Sequence, residues 1–184
     1  MNKKISTLLI ALGATTVLNA GEVDNYLSIV AGNLSFNHTV YGDVDGEEQK
    51  YNGYSNTSNI GLEYTWMKEI AHSHVILGLS PRILLNDGDF LDGGTFDFSF
   101  LAGASFSRFK IYSNIGFAIN SLSDYTVATG ATYGLTARYD ISKHFSAGLS
   151  YNFYALKIAE EDRTMNSDLS YTSNGLLGKV SFRF

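Results

Sequence analysis

The chain has 184 residues, a formal net charge of −5 at pH 7, one proline and no cysteine. This length predicts a single domain, the absence of cysteine excludes disulfides and thiolate metal sites, and no nucleic-acid partner is expected of an acidic chain. The abundance of glycine, tyrosine and phenylalanine suits a protein made almost wholly of strands. At this point a secreted, soluble β-sandwich and a membrane β-barrel are both open.

The N-terminus has the pattern of a secretory signal peptide. Two lysines precede a mostly apolar run over 5–18, and the residues that follow allow cleavage after Ala20. A membrane-spanning helix needs about 20 apolar residues, so the run is too short to be an anchor. The sequence therefore predicts a signal peptide over 1–20 and a mature domain over 21–184. Loss of the two lysines would change the formal charge from −5 to −7.

Eight segments alternate apolar residues with small or polar ones, the period of a strand with two different faces. They are 26–36, 59–67, 74–85, 95–106, 109–120, 125–139, 144–156 and 171–184. Alternation is poor in the first, which predicts a bulge near Gly32. Polar loops, beginning with a long one over 38–58, alternate with short turns along the chain. Strands of this length can cross a bilayer at a tilt.

The last strand places Val180, Phe182 and Phe184 on one face and the charged Lys179 and Arg183 on the other. An apolar row that runs to a terminal aromatic residue is better explained by lipid than by a soluble core, because membrane barrels are apolar outside and polar inside. This stretch resembles the closing strand of bacterial outer-membrane barrels, which ends in Phe and is read by the barrel-assembly machinery. The resemblance implies that Val180, Phe182 and Phe184 form the assembly signal.

Together these patterns predict an all-β, eight-stranded, antiparallel up-and-down transmembrane β-barrel. Over its whole mature length the chain resembles the small outer-membrane family that includes the OmpA transmembrane domain, OmpX and the opacity-type surface proteins. The resemblance implies a monomer in the outer membrane of a Gram-negative bacterium, with both termini in the periplasm. Outer-membrane lipid and lipopolysaccharide are then its expected surroundings.

The inward positions include charged residues that need partners if the lumen is dry. We expect Glu63 and Asp97 to accept hydrogen bonds from Arg82, Arg138 and Lys179. These charges could form a structural plug or, alternatively, an ion path. Aromatic residues at one set of strand ends predict an interfacial girdle, namely Tyr26, Trp66, Phe106, Phe109, Tyr139, Phe145, Phe182 and Phe184.

No catalytic, cofactor or metal site is predicted. His144 and Ser146 resemble the His-x-Ser of an outer-membrane lipid A deacylase family, although the Asn that follows the Ser in that family is Ala147 here. His72 and His74 flank a turn without an evident third ligand. The acidic loops could contact a partner or bind Ca²⁺; the expected loop contacts are Asp43, Asp45, Tyr51, Tyr54, Asp87, Asp89 and Phe90.

Three functions follow from these observations. The first is a non-enzymatic surface protein whose acidic loops meet a host or surface ligand, or support outer-membrane integrity. The second is a small porin-like channel. The third is a lipid A-modifying acyl hydrolase.

Overall fold

A computed structural model describes residues 23–44, 47–70, 73–88, 93–121, 127–158 and 169–184, with the side chains of 38–51 and 169–170 outside the description. The predicted signal peptide lies outside these residues. Eight antiparallel strands form one closed barrel. They are β1 (Val23–Val44), β2 (Glu47–Glu69), β3 (Val75–Asp87), β4 (Gly93–Phe106), β5 (Phe109–Ser121), β6 (Val127–Asp140), β7 (Phe145–Ile158) and β8 (Leu169–Arg183).

The barrel closes where the first strand meets the last. Each strand pairs with its neighbour in sequence, and β1 also pairs with β8 from Tyr26↔Arg183 to Val40↔Leu169. Closure leaves no sheet edge along the wall, so backbone N–H and C=O groups are satisfied within the barrel. In the described part of the chain no helix is long and apolar enough to cross a membrane. The predicted eight-stranded up-and-down barrel is confirmed.

The outer wall is apolar, whereas many charged side chains of the strands are buried in the interior. Outward residues such as Ile115, Val180 and Leu85 are 68%, 64% and 61% exposed, whereas Arg82 on the interior face is 2% exposed. A continuous apolar belt of this kind would be unfavourable in water, and it is the surface that a barrel presents to lipid. The period-two alternation of the sequence therefore separates a lipid face from a lumen face.

The first hairpin differs from the prediction. Residues 38–58 were expected to form a loop, but β1 and β2 pair continuously as far as Val44↔Glu47. β3 pairs with β2 only from Ser58 onward, so β2 over 47–57 pairs with β1 alone, whereas β1 pairs with β8 as far as Val40. The paired segments 34–44 and 47–57 form a hairpin that extends past β3, here called the ribbon. The segment carries no apolar alternation, and the pairing of its backbone holds it as strand. The polar composition of residues 38–58 predicts a loop, because it contains no sign of this backbone pairing.

The predicted bulge near Gly32 is also absent from the β1 register. Pairing runs uninterrupted through Gly32↔Asn59 on one side and Gly32↔Leu177 on the other. The alternation looked poor because Val30, Leu34 and Phe36 point into the barrel, where all three are buried. The first strand therefore has apolar residues on both faces, and the alternation of inward and outward side chains continues unchanged along it.

The two ends of the barrel differ. Val23 and Phe184 lie at one end, with the connections 70–74, 107–108 and 141–144; we call it the terminal end. The connection after β4 is only two residues long, and Ser107 adopts a positive φ of 58° there. The opposite end, here the loop end, carries the ribbon and the described ends of β3 to β8, such as Asp87, Ser121 and Ile158.

Candidate functional site

Glu63 is the centre of the charged cluster in the lumen. Lys179 Nζ donates hydrogen bonds to both carboxylate oxygens of Glu63, at 2.6 and 2.8 Å, and Thr65 Oγ1 donates a third at 3.0 Å. Arg82 and Arg138 approach the same carboxylate at 3.6 and 3.7 Å. Strands β2, β3, β6 and β8 each supply at least one of these groups, so the cluster ties opposite parts of the wall together.

Asp97 on β4 completes the cluster through Arg82. Arg82 Nε donates to Asp97 Oδ2 at 2.8 Å, and Arg82 Nη2 donates to the Tyr154 hydroxyl at 2.8 Å and to Asn152 Oδ1 at 3.2 Å. The Tyr154 hydroxyl in turn donates to Asp97 at 3.1 Å. The structure thus brings all five residues of the expected lumen network into one group.

Arg138 is held mainly by aromatic rings. Its guanidinium carbon lies 4.0 Å from the centre of the Tyr26 ring and 6.0 Å from that of Tyr112. Its nitrogens have no hydrogen-bond partner among the described residues. A desolvated guanidinium over an aromatic face gains a cation–π interaction. Tyr26, which was expected in the outer girdle, instead faces the lumen and is fully buried.

A second charged group lies nearer the terminal end. Lys110 Nζ contacts Asp140 at 2.5 Å and Asp24 at 3.5 Å, while Arg183 forms an ion pair with Asp24. The Tyr26 hydroxyl donates to both aspartates, at 3.3 Å. Sequence reasoning missed both acids: Asp24 preceded the predicted first strand, and Asp140 was placed in a turn. The predicted inward positions held more cations than carboxylates, and this imbalance indicated that further acids had to face the lumen.

Toward the loop end an apolar cluster packs inside the lumen, among buried polar side chains such as Asn59, Asn86 and Asn120. One buried cluster spans six strands and includes two tyrosines among aliphatic residues. Its members are Val30, Leu34, Phe36, Leu84, Ala118, Ala128, Tyr154, Leu156, Tyr171 and Leu177. The lumen therefore contains an ion-paired layer and an apolar layer, one above the other.

The ion-paired layer has almost no free space. The five charged residues of the cluster around Glu63 are each at most 5% exposed. The cavity between Arg82, Asp97 and Lys179 measures about 10 Å³. That volume holds about one water molecule. Among the described residues, the arrangement cross-links the wall and leaves little room for water at this level of the lumen.

The other expected site residues are dispersed. Val180, Phe182 and Phe184 lie on the outer wall, 64%, 46% and 64% exposed; their role in assembly stays a prediction. Tyr54 and Asp87 are exposed at the loop end. Asp43 and Tyr51 belong to the ribbon backbone rather than to a loop, whereas Asp45, Asp89 and Phe90 lie outside the described residues.

His144 and Ser146 do not form a pair. The exposed His144 ring lies 5.9 Å from that of Phe182 on the outer wall, and its Nδ1 is 3.3 Å from the Arg183 carbonyl oxygen. Ser146 is buried inside the barrel. The described residues also contain no group of three His, Cys, Asp or Glu side chains that could hold a metal ion.

A closed eight-stranded barrel with an ion-paired lumen and an apolar outer belt defines a small transmembrane β-barrel of the outer-membrane class. The class places the protein in an outer membrane. It does not fix a function, because function depends on the site that a fold carries.

No family model and no curated protein matches the chain. Among solved structures it is similar to the outer membrane protein OprG from Pseudomonas aeruginosa, with 12% identity and a TM-score of 0.47, covering 89% of this chain and 98% of that one. It is also similar to the attachment invasion locus protein Ail of Yersinia pestis, with 15% identity and a TM-score of 0.43, covering 89% and 99%. A third, the outer membrane protein OmpT of Vibrio cholerae, has 12% identity and a TM-score of 0.33, covering 86% and 52%. At such low scores, the class rests on the barrel itself.

Proposed function

We propose that this protein is a non-enzymatic outer-membrane surface protein, in which a sealed barrel displays the ribbon and loops to the cell exterior. In this proposal the terminal end faces the periplasm and the loop end faces outward. The ribbon and the acidic loops contact a host or surface ligand, and lipopolysaccharide surrounds the outer half of the barrel.

The observation that carries the proposal is the filled lumen. The ion-paired layer consists of Glu63 with Lys179, Arg82 and Arg138 around it. The apolar cluster fills part of the lumen between that layer and the loop end. An ion path needs solvated charges and a continuous bore. This packing weighs against the channel alternative, and the separation of His144 from Ser146 weighs against the acyl hydrolase.

The ribbon supports a role in contact. Eleven residues of β2, 47–57, lie beyond the point where β3 begins to pair with β2, and over this length β2 pairs with β1 alone. Its sequence is rich in Tyr, Asn, Ser and Gly, residue types that are common in adaptable protein-binding surfaces. A barrel built only to occupy the membrane has no need of such an extension.

The proposal is tested by shortening the ribbon without touching the barrel. Residues 41–50 are replaced by Asn-Gly, a two-residue hairpin turn that joins the paired residues Val40 and Tyr51 and keeps every β1–β8 pair. Wild type and variant are expressed in a non-adherent Gram-negative host, and the bacteria retained on epithelial monolayers are counted. Detergent sensitivity of the same cells reports outer-membrane integrity.

We expect the wild type to raise retention and the shortened variant to lose that gain at equal levels of folded protein. Unchanged detergent sensitivity between the two strains would assign the role to contact. Equal retention by both strains, or no gain from the wild type, would contradict the proposed contact role of the ribbon.

A further inference from the structure

The outer wall near the terminal end contains a groove that lies apart from the lumen and the ribbon. It has a volume of about 590 Å³ and is formed by β2, β3, β4 and β5, within the range of about 300–1,000 Å³ usual for small-molecule sites. The lining residues that matter here are Trp66, Lys68, Phe100, Ala102, Ser113 and Ile115. We propose that this groove binds one phospholipid with an anionic headgroup, its acyl chain along the wall and its phosphate at Lys68.

The groove arises from a step in side-chain size. Ala102 and Ser113 face each other across the β4–β5 pair, and both are exposed on the outer wall. Two residues along each strand, Phe100 and Ile115 also face each other and project 60% and 68% exposed. Small residues beside large ones leave a depression, and a flexible hydrocarbon chain can fill an irregular depression better than a rigid protein surface can.

The floor of the groove is effectively apolar despite Ser113. The Ser113 hydroxyl donates a hydrogen bond to the Ala102 carbonyl oxygen at 3.1 Å. A hydroxyl that is satisfied within the wall can face hydrocarbon without the cost of an unpaired donor. The groove therefore offers an alkyl chain an apolar surface rather than competing for polar groups.

Lys68 supplies the charge that selects an anionic headgroup. It is the only charged residue in the lining, it is half-buried, and it pairs across the sheet with Leu77. In the described part of the chain no carboxylate lies within ion-pair distance of its ammonium group. A lysine stem packs along apolar surface while its ammonium reaches the membrane interface, where it can bind a phosphate.

The depth of the groove fits the leaflet next to the terminal end. Ala102 lies four residues before Phe106, the last residue of β4, which corresponds to about 13 Å along the strand. Phe106, Phe109 and Tyr139 mark the interface at this end and are 41–53% exposed. The choice of phospholipid rather than lipid A rests on the proposed orientation, which places this leaflet on the periplasmic side.

Native mass spectrometry of the folded protein in a neutral detergent tests the site directly. Phosphatidylglycerol is titrated into wild type, Lys68→Ala and Ala102→Phe, the last of which fills the groove. The matched controls are Lys143→Ala, an exposed lysine in a turn at the same end, and Ala131→Phe, an exposed wall position on β6. Altered gel migration on heating establishes that each variant is folded.

We expect the wild type to retain one phosphatidylglycerol. Lys68→Ala should weaken binding about fivefold, as expected for one basic group worth about 1 kcal/mol at an anionic lipid, and Ala102→Phe should abolish the one-to-one adduct. Both controls should bind like the wild type. The proposed site would be overturned if all variants bound phosphatidylglycerol equally, or if Lys143→Ala weakened binding as much as Lys68→Ala. It would also be overturned if the wild type formed no one-to-one adduct.

Two competitions separate the occupant from its alternatives. Phosphatidylglycerol should displace phosphatidylethanolamine, and purified lipid A should not displace phosphatidylglycerol. Displacement by lipid A would overturn the phospholipid assignment, and a protein dimer lost in Ala102→Phe would assign the groove to a second copy of the chain. Because these measurements need neither cells nor the ribbon, their failure is distinguishable from failure of the proposed surface function.

Discussion

Lys179 and Glu63 are 116 residues apart in the chain, yet the Lys179 ammonium lies 2.6 Å from the Glu63 carboxylate in the middle of the barrel. The two side chains come from β8 and β2, which lie on either side of β1. Both are buried, so neither charge can be compensated by bulk water. Their ion pair therefore stabilises the barrel only while both members are present.

Glu63→Gln should destabilise the barrel strongly. It leaves Lys179, Arg82 and Arg138 without the carboxylate that they share, and breaking a buried ion pair costs about 3–5 kcal/mol. The measurement is the midpoint of denaturant-induced unfolding in detergent micelles. The control is Glu69→Gln, a half-buried carboxylate at the end of the same strand, for which we expect a change within about 0.5 kcal/mol. Equal midpoints for the two variants would show that the lumen charges are solvated.

The Tyr26 ring, rather than its hydroxyl, should account for the stability that this residue provides. Tyr26→Phe keeps the aromatic face 4.0 Å from the Arg138 guanidinium and removes only hydroxyl contacts of 3.3 Å or longer. Tyr26→Leu removes the face and should cost about 2 kcal/mol or more, the strength of a desolvated cation–π contact. Thermal unfolding of the two variants measures the difference. Equal losses would instead identify the hydroxyl as the group that matters.

Gly103 should not tolerate a side chain. A Cβ atom there would overlap the backbone of Ile111 and Tyr112 on the neighbouring strand, and overpacking of this kind costs about 1–3 kcal/mol. Gly94 on the same strand is the control, because its Cβ would approach only the Leu84 carbonyl, at 3.6 Å. In a refolding assay Gly103→Ala should lower the folded fraction while Gly94→Ala should not. A normal yield for Gly103→Ala would mean that the wall can shift locally.

The closed ladder should make the protein heat-modifiable. With β1 paired to β8 there is no edge at which SDS can start to open the sheet. Unheated and boiled samples should therefore migrate differently on a gel. Identical migration of a purified sample that has been inserted into membranes would argue against the closed barrel.

Alternation of the sequence was sufficient to predict the fold. Phe96, Phe98 and Phe100 alternate with Thr95, Asp97 and Ser99, and such a pattern separates lipid from lumen without further information. It failed in β1, because Val30, Leu34 and Phe36 belong to an apolar layer inside the lumen. Alternation of apolar and polar residues identifies a strand with one apolar face. It does not identify a strand such as β1, in which one apolar face contacts lipid and the other packs inside the lumen.

The remaining differences have similar causes. The ribbon is held by backbone pairing, which leaves no trace in hydrophobic periodicity. Aromatic residues at strand ends usually lie at the membrane interface, which predicts an interfacial Tyr26. Its ring instead packs in the lumen against Arg138, which belongs to a strand on another part of the wall. Contacts between residues more than a hundred positions apart follow from the register of a closed barrel, which the sequence alone does not specify.

Single-channel recording in planar bilayers tests the central claim, that the lumen is a packed structural core. Wild-type protein, shown by gel migration to be folded, is inserted and a voltage is applied in symmetrical KCl. We predict no conductance steps above background, because the ion-paired and apolar side chains of the described barrel pack tightly inside the lumen. Reproducible steps whose size or ion preference changes in Glu63→Gln, with stability unchanged, would contradict the account and identify the lumen as a channel.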